Sequence, residues 1–289
     1  MNSLEFVARK AAEARRRLSS ALPEPRESRK FFIPGYHEKY RALPNPLARS
    51  SIFSSVARGK KEQCESVVLV SRSDAVISFT GEQLDESQAD LWIQLIFEAR
   101  AYPLGDVISV NRAKLLRSLG KNTSGANYVW LARAMAALAN ARFSIRTTKQ
   151  GVLKYQLEGA NAVELISQCG YDTDRQCYTF LLSRAWATLF SNSEYALIDW
   201  EKRLRIRRGQ DMAKALQLLI ATSNEDTQRY PLEWLQPKLV YRGRLADFRD
   251  ALLAAMSELE RVEITVNSRI ERGKNGKELA VFTKIGESS

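Results

Sequence analysis

The chain has 289 residues, of which 45% are hydrophobic, so it can bury a sizeable core and is long enough for about two domains. Its net charge of +11 suggests a polyanionic partner. The single histidine, His37, lies in a Pro-containing stretch, which excludes Ser–His–Asp and Cys–His catalysis inside the fold and zinc sites built on two histidines.

The cysteines and the hydropathy pattern indicate a cellular compartment. No run of about 18 apolar residues predicts a membrane span, and residues 1–18 do not resemble a secretory signal. Cys64, Cys169 and Cys177 fit neither a disulfide framework nor a metal site. We therefore expect free thiols in a reducing cytoplasm.

The charges are unevenly distributed along the chain. Residues 107–157 contain nine Lys and Arg and no Asp or Glu, although the chain average of 33 acids in 289 residues would place about six there. A long run of one sign that crosses several elements indicates a surface that faces phosphates. We therefore expect nucleic acid to bind along this segment.

The predicted elements follow a basic leader. Residues 1–61 contain proline breaks and are expected to form a flexible arm after one short helix. Residues 66–80 predict two strands around a polar turn. A helix over residues 80–101 is expected next, with Thr80 as its N-cap.

The acid-free segment predicts a DNA-binding motif. A short strand precedes a helix over residues 112–118, residues 119–124 form a turn, and a second helix covers residues 125–140. Alternating residues on both sides of Lys149–Gln150–Gly151 then predict a β-hairpin. A helix, a turn, a second helix and a hairpin together make a winged helix-turn-helix.

The same order is predicted again near the C-terminus. Pro231 starts a short helix, residues 241–244 form a turn, residues 245–260 form a longer helix, and a hairpin with a basic, Gly-containing tip follows. We interpret the two copies as an internal repeat with a constant offset of 121 residues. The matching pairs are Leu131/Leu252, Ala134/Ala255, Met135/Met256, Leu138/Leu259, Phe143/Ile264 and Ile145/Val266.

The expected fold class is α+β, with two tandem winged-helix domains (helix-turn-helix plus β-hairpin wing) after a flexible basic N-terminal leader. Between the two copies, residues 177–183 predict a strand and residues 201–221 a basic-faced helix that opens the second copy. The predicted limits are 1–61 for the leader, 62–193 for the first winged-helix domain and 194–289 for the second.

Residues 119–128, LGKNTSGANY, also resemble the phosphate-binding loop of a nucleotide-dependent enzyme. Such a loop needs Gly-x-x-x-x-Gly-Lys-Ser/Thr after a buried strand. Here Leu115 stands in the place of the first glycine, Asn122 follows Lys121, and the preceding element is a helix. The sequence RGKNGK at residues 272–277 fails in a similar way. A nucleotide-dependent replication enzyme is therefore disfavoured and stays an alternative.

The DNA-binding interpretation requires polar and basic side chains at the start of each second helix and in each hairpin. Lysines and hydroxyls suit phosphates, Asn suits adenine, Arg suits guanine, and hairpin cations suit the backbone or the minor groove. In the first copy the predicted contacts are Lys121, Asn122, Thr123, Ser124, Asn127, Tyr128, Arg133, Lys149 and Lys154. In the second copy they are Tyr241, Arg242, Arg244, Arg249, Arg272, Lys274 and Lys277.

Several stretches resemble the TrfA plasmid replication initiators of broad-host-range bacterial plasmids. The resemblance covers residues 40–284, and the last of the stretches is similar to the second DNA-binding unit of that family. The stretches are LPNPLARSSIF (43–53), ISFTGEQL (77–84), LWIQLIFEARAYPLG (91–105), LLRSLGKNTSGANY (115–128) and GRLADFRDALLAAMSELE (243–260).

The resemblance implies a bacterial cytoplasmic protein, associated with the nucleoid or a plasmid, that binds double-stranded DNA at iterons, the tandem repeats of a plasmid origin. It implies active monomers in equilibrium with inactive dimers, melting of AT-rich DNA, and the host initiator, helicase and sliding clamp as partners. The nearest match to the clamp-binding peptide, Gln-Leu-x-Leu-Phe, is Ser50–Phe53, which lacks the Gln. We expect no enzymatic activity, cofactor or metal; a transcriptional repressor with the same fold is the main alternative.

Overall fold

The structure is a computed structural model that describes residues 30–55, 61–158, 162–273 and 276–286. The chain divides into two compact units, residues 1–31 and 32–289, and the elements below lie in the second unit. Its helices are α1 (Asn45–Arg49), α2 (Glu86–Ala99), α3 (Arg112–Ser118), α4 (Gly125–Ala139), α5 (Ala187–Ser191), α6 (Trp200–Arg205), α7 (Asp211–Ala221), α8 (Leu232–Lys238) and α9 (Leu245–Arg261).

The strands make this a mixed α/β fold with mostly antiparallel pairing. The first part of the chain holds β1 (Tyr40–Pro44), β2 (Phe53–Ser54), β3 (Gln63–Val68), β4 (Ala75–Glu82), β5 (Leu84–Asp85), β6 (Ile108–Asn111), β7 (Arg142–Lys149) and β8 (Val152–Leu157). The remainder holds β9 (Val163–Glu164), β10 (Ser167–Asp172), β11 (Cys177–Leu181), β12 (Tyr195–Asp199), β13 (Thr227–Pro231), β14 (Thr265–Arg272) and β15 (Glu278–Lys284).

The largest sheet contains both strand pairs that were predicted in the first half of the chain. Its strands run in the order β3, β4, β7 and β8, and β9 pairs with the start of β7. Between β7 and β8 the chain turns at Gln150 and Gly151, whose φ angles of 52° and 79° suit a two-residue hairpin turn. The predicted hairpin at this position is confirmed, as are the strands on both sides of residues 71–74.

The second half of this unit, residues 200–286, has its own sheet and core, and residues 32–199 are called the first half below. The sheet order is β13, β15, β14, and α7, α8 and α9 surround a core that includes Leu216, Leu235, Phe248, Leu252 and Phe282. Burial of these apolar side chains supplies the main driving force for folding this half.

The predicted repeat holds in the helices and fails further along. Both members of each pair in α4 and α9 are buried: Leu131/Leu252, Ala134/Ala255, Met135/Met256 and Leu138/Leu259. In the strands, Ile145 is buried but Val266 is 41% exposed, and β14 buries the preceding residue, Thr265, instead. The preceding strands also differ, since β6 pairs with β11 whereas β13 pairs with β15.

The N-cap predicted for α2 was wrong. Thr80 lies inside β4, and the helix begins only after Asp85. The Asp85 carboxylate accepts from the Gln88 N–H at 2.9 Å, and the Gln88 side chain accepts from the Asp85 N–H at 3.0 Å. This reciprocal capping box satisfies two helix-end donors, which a single Thr hydroxyl would not do.

The single helix predicted over residues 201–221 was also wrong. Helix α6 ends at Arg205, the backbone at Ile206 is extended, and Gly209 has a φ of 83° before α7 begins. Gly tolerates this left-handed conformation without steric cost, so the chain can turn between two helices here.

The flexible-arm prediction was wrong for residues 40–55. Strand β1 pairs along its whole length with β12, and Leu43, Leu47 and Phe53 are buried. The guanidinium of Arg41 lies 3.5 Å from the centre of the Phe97 ring. The candidate clamp peptide, Ser50–Phe53, therefore does not present its apolar side chains to a partner, because Ile52 is 2% exposed and Phe53 3%. Residues 1–29 lie outside the described residues, and the limits of the two domains stay a prediction.

A buried ionic cluster joins the two halves of the second unit. Arg203 on α6 is fully buried and contacts two carboxylates of α2: its Nη2 lies 2.8 Å from Glu86 Oε2, and its Nε donates to Asp90. Its Nη1 donates to the Lys214 carbonyl of α7 at 3.1 Å, and the Lys214 ammonium pairs with Asp90. Because these charges have left water, each depends on its partners for stability.

A second buried cation adds to this cluster. Lys238 at the end of α8 is 3% exposed, and burial lowers its pKa to about 8 while the Glu86 charge opposes that shift. Burial likewise raises the pKa of Glu86 to about 7 against the attraction of Arg203. Within the described residues, Glu86 Oε1 has no hydrogen-bond partner. Glu86 therefore depends strongly on Arg203.

We predict that Arg203→Met lowers the free energy of unfolding by about 3–5 kcal/mol, because Glu86 and Asp90 lose a buried counter-ion. Urea denaturation followed by circular dichroism measures the change. Arg205→Met is the matched control: its side chain is exposed on the same helix, and the change should stay within about 0.5 kcal/mol. Equal losses in the two variants would contradict a stabilising role for the cluster.

Candidate nucleic-acid interface

The turn between α3 and α4 is a helix C-terminal motif. The Lys121 N–H donates to the Leu116 carbonyl at 2.9 Å, and the Gly120 N–H donates to the Arg117 carbonyl at 2.9 Å. Gly120 has a φ of 66°, so the motif has the Schellman pattern. These N–H groups are occupied within the turn, which leaves them unable to converge on a nucleotide phosphate.

The start of α4 is organised by its own polar side chains. Ser124 is the N-cap, and its hydroxyl accepts from the Asn127 N–H at 3.4 Å. The Asn127 amide donates to the Asn122 carbonyl at 2.9 Å. Asn122, Thr123 and Ser124 are all exposed. The predicted contact residues at this helix start therefore lie together at the surface in a defined conformation.

Two predicted contact residues lie against neighbouring cationic or aromatic groups. The ammonium of Lys121 is 4.3 Å from the centre of the Trp130 ring, and partial burial lowers the pKa of Lys121. The Arg112 guanidinium is 4.0 Å from the centre of the Tyr128 ring. Both arrangements hold a cation over an aromatic face, which restricts its conformation at the surface.

The outward face of α4 is small and carries no acidic residue. Its buried residues are Leu131, Ala134, Met135, Ala137 and Leu138, so the opposite side faces solvent. The exposed side chains of the helix body are Ala126, Val129, Ala132, Arg133 and Ala136. Short side chains allow the backbone of a helix to approach a flat or grooved surface closely.

The first half exposes cations that have no acidic partner. Arg133 on α4, Arg117 on α3 and Lys149 at the hairpin tip are exposed, and none forms an ion pair with another described residue. Lys154 on β8 differs, because it pairs with Glu194. Arg117 and Arg133 lie on α3 and α4, two helices that pack against each other, so their unpaired charges give this helix pair a positive field.

The predicted cations of the second half pair with carboxylates. Arg244, the N-cap residue of α9, binds Asp247 through two hydrogen bonds of 2.9 and 3.0 Å. The other ion pairs are Arg242–Glu62 at 2.6 Å, Arg249–Glu278 at 3.5 Å and Lys277–Glu233 at 2.7 Å. The field around α9 is therefore weaker than the field around α4.

The remaining predicted contacts of the second half have different environments. Tyr241 is half-buried, with its ring 5.3 Å from the Phe248 ring, and Arg272 is exposed near the end of β14. Lys274 lies outside the described residues. The ring of Tyr241 also lies so close to Gly243 that a Cβ there would be only 2.6 Å from it. Tyr241 therefore helps to shape the turn before α9.

Sequence reasoning missed three residues that bear on this surface. Arg117 is exposed at the end of α3, Arg112 lies on Tyr128, and Asp247 holds Arg244. The absence of acids in residues 107–157 could have identified the two arginines as candidates. Asp247 lies three residues after Arg244, a spacing at which side chains of a helix meet.

Metal sites and membrane-spanning helices were also considered in the described ranges. In them no group of three or more His, Cys, Asp or Glu side chains is placed to hold a metal ion. None of their helices combines the length and the apolarity that a membrane span requires.

Comparison with known proteins decides the family. A family model described as TrfA protein matches residues 25–241. The chain belongs to the TrfA family. This match includes the first copy of the helix-turn-helix and ends at the turn before α9.

One curated relative and two solved structures place the TrfA-family chain further. Plasmid replication initiator protein TrfA of Escherichia coli is 26% identical over 179 residues, which are 60% of this chain and 45% of that protein. The match thus spans about half of the relative. A crystal structure of domains 2 and 3 of RctB has a TM-score of 0.58 at 11% identity and covers 85% of this chain and 99% of that chain. A second structure of these domains has a TM-score of 0.50 at 10% identity, over 83% and 97%. These likenesses show that the fold is shared.

Proposed function

We propose that this TrfA-family protein is a plasmid replication initiator that binds repeated origin DNA and catalyses no reaction itself. The observation that carries the proposal is the acid-free segment of residues 107–157, which contains α3, α4 and the β7–β8 hairpin. In it, Arg117, Arg133 and Lys149 are exposed and form no ion pair with another described residue. The relative from Escherichia coli is named a plasmid replication initiator, which supports the same function.

Each half is proposed to act as a winged helix. In the second half, α7, β13, α8, α9, β14 and β15 follow one another, and β13 pairs with β15, the second hairpin strand and the central strand of the sheet. In the first half, α2, β6, α3, α4, β7 and β8 have the same order, with β6 paired to β11 instead. In such domains the second helix of the helix-turn-helix enters the major groove.

The two halves would contribute differently to DNA binding. The free cations and small side chains around α4 suit close approach and phosphate contact, which supply affinity on any sequence. Around α9, Arg242, Arg244 and Arg249 are each held by a carboxylate, so they are pre-positioned and must exchange that partner for DNA. Arginine bound bidentately to guanine supplies specificity, and we assign sequence reading chiefly to this half.

Binding at tandem iterons would then lead to initiation. Bending of DNA by bound protein costs energy, which is lowest at flexible pyrimidine–purine steps that unstack easily, and the strain of bending would favour strand opening at AT-rich DNA next to the repeats. Recruitment of the host initiator and helicase, and a monomer–dimer equilibrium, complete the proposed function.

The function is tested with a plasmid that carries this gene and its flanking DNA. We expect replication in a suitable host and a ladder of protected direct repeats in a footprint. A Lys121→Ala/Arg244→Ala variant should lose both, whereas Arg175→Ala, on the exposed β10–β11 turn, should retain both. Protection of one isolated operator without replication would favour a repressor, and ATP turnover by the pure protein would favour an enzyme.

We further predict opposite effects for the two members of the Arg244–Asp247 pair. Arg244→Ala should cost about 1–3 kcal/mol on the cognate repeat and much less on random DNA. Asp247→Asn frees Arg244 and should raise affinity about two- to fivefold. Fluorescence anisotropy with labelled duplexes measures both.

Asp250→Asn is the control for this pair. It removes the same charge from the exposed face of α9 without breaking an ion pair to another described residue. An equal gain in Asp247→Asn and Asp250→Asn would show that the release of Arg244 is not the cause.

A further inference from the structure

A small polar cavity lies behind the β7–β8 hairpin, between that hairpin, α1 and the turn that joins β3 to β4. Its volume is about 60 Å³. One water molecule needs about 10–15 Å³ measured in this way, so the cavity accommodates several waters or one tetrahedral oxyanion. None of the contacts predicted at the DNA surface lies in it except Lys154.

Arg49 supplies an unbalanced positive charge to this cavity. Its Nη2 donates to the Thr222 carbonyl at 2.6 Å, but it forms no ion pair with any described residue. Its Nε is buried and has no hydrogen-bond partner among those residues. Burial, followed by repulsion from Arg72, lowers the pKa of Arg49. A half-buried guanidinium with a free donor favours an anion nearby.

The other charges that line the cavity balance one another. Asp74 Oδ1 lies 4.0 Å from Arg72 Nε, and Glu194 pairs with Lys154. Three cations and two carboxylates leave one net positive charge, which is that of Arg49. One singly charged anion would neutralise it.

The neutral groups of the cavity add unused hydrogen-bonding capacity. Thr147 lines the cavity and is 7% exposed, and Asn45 lines it from α1. Neither the Thr147 hydroxyl nor the buried Oδ1 of Asn45 makes a hydrogen bond of normal geometry to a described residue. Buried polar groups are rarely left in this state, so a ligand or water should satisfy them.

These groups include both hydrogen-bond donors and a hydrogen-bond acceptor, which restricts the kind of anion that can bind. Arg49 Nε and the Thr147 hydroxyl can donate to an oxyanion, whereas Asn45 Oδ1 can only accept. A protonated phosphate group carries both O⁻ and O–H, but sulfate carries no proton at neutral pH. We propose that this cavity is a binding site for one protonated phosphate, held by Arg49, Thr147 and Asn45.

A phosphate bound in this cavity would connect segments of the chain that are distant in sequence. Thr147 belongs to the hairpin, Arg49 ends α1, and Arg49 already binds Thr222 at the end of α7. The bound phosphate would thus tie the hairpin of the first half to the second half. This inference does not depend on the proposed replication function.

Calorimetric titration of the full chain with inorganic phosphate, without DNA and at constant ionic strength set by chloride, tests the site. We expect saturable binding of one phosphate and at least about tenfold weaker binding of sulfate, which lacks the donor for Asn45. Arg49→Gln should abolish binding, and the isosteric Thr147→Val should weaken it about tenfold. Arg175→Gln, which removes an exposed arginine on the β10–β11 turn, should bind phosphate like the unchanged protein.

Two further measurements determine where phosphate binds and whether the site takes inorganic phosphate or a phosphate monoester. Arsenate, which is also protonated, should give anomalous density in this cavity in crystals of the protein. Adenosine monophosphate that displaces phosphate would show that the site takes a terminal monoester, and failure to displace it would assign the site to inorganic phosphate; both results support the proposal. The proposal would be overturned by the absence of saturable phosphate binding, by equal binding of sulfate, or by unchanged phosphate binding in Thr147→Val. The Thr147→Val result remains decisive even if Arg49→Gln does not fold.

Discussion

The arrangement of this molecule depends on the burial of Arg203. A guanidinium inside a protein is tolerated only when carboxylates and carbonyls replace its water, and here α2 and α7 supply those groups. The requirement forces α2 of the first half, α6 and α7 to meet at one point. Apolar packing alone permits many relative orientations, whereas these directed contacts select one. Since α4 packs on α2 and α9 packs on α7, we infer that the outward faces of α4 and α9 are held in a fixed relation.

The two halves also differ in whether their exposed cations are paired with carboxylates. The segment of residues 107–157 has no carboxylate, and Arg117, Arg133 and Lys149 in it form no ion pair with another described residue. Around α9, Arg242, Arg244 and Arg249 are each held by an acid. A free cation attracts phosphate at long range, and a held arginine gives geometric selectivity at short range. We propose that the protein divides affinity and specificity between its halves in this manner.

Local patterns carried the correct predictions. The Gln150–Gly151 turn, the starts of α3 and α4 and the buried Met135/Met256 pair follow from turn chemistry and helical spacing. The errors came from interactions between distant segments. Pairing of β1 with β12 joins residues more than 150 positions apart, and no local signal predicts it.

Arg203 in the buried ionic cluster shows the same limit of prediction from local sequence patterns. It lies in the basic run EKRLRIRRGQ, which favours a solvated face, yet it is the one of these cations that is fully buried. Asp247 had a local signal, its spacing from Arg244, but whether a nearby acid screens a DNA contact depends on side-chain conformation. The charge distribution thus predicted a positive surface in residues 107–157, and the structure was needed to show which of the predicted arginines are paired with acids.

The fixed relation between the halves is tested most directly by changing the spacing within one protected DNA repeat. Insertion of about five base pairs between the segments contacted by α4 and α9 rotates them by half a helical turn, and about ten restores the rotation but adds about 34 Å. We predict at least about tenfold weaker binding to both DNAs, because a rigid molecule cannot follow either change. Unchanged affinity for the DNA with the shorter insertion would contradict a fixed arrangement held by Arg203.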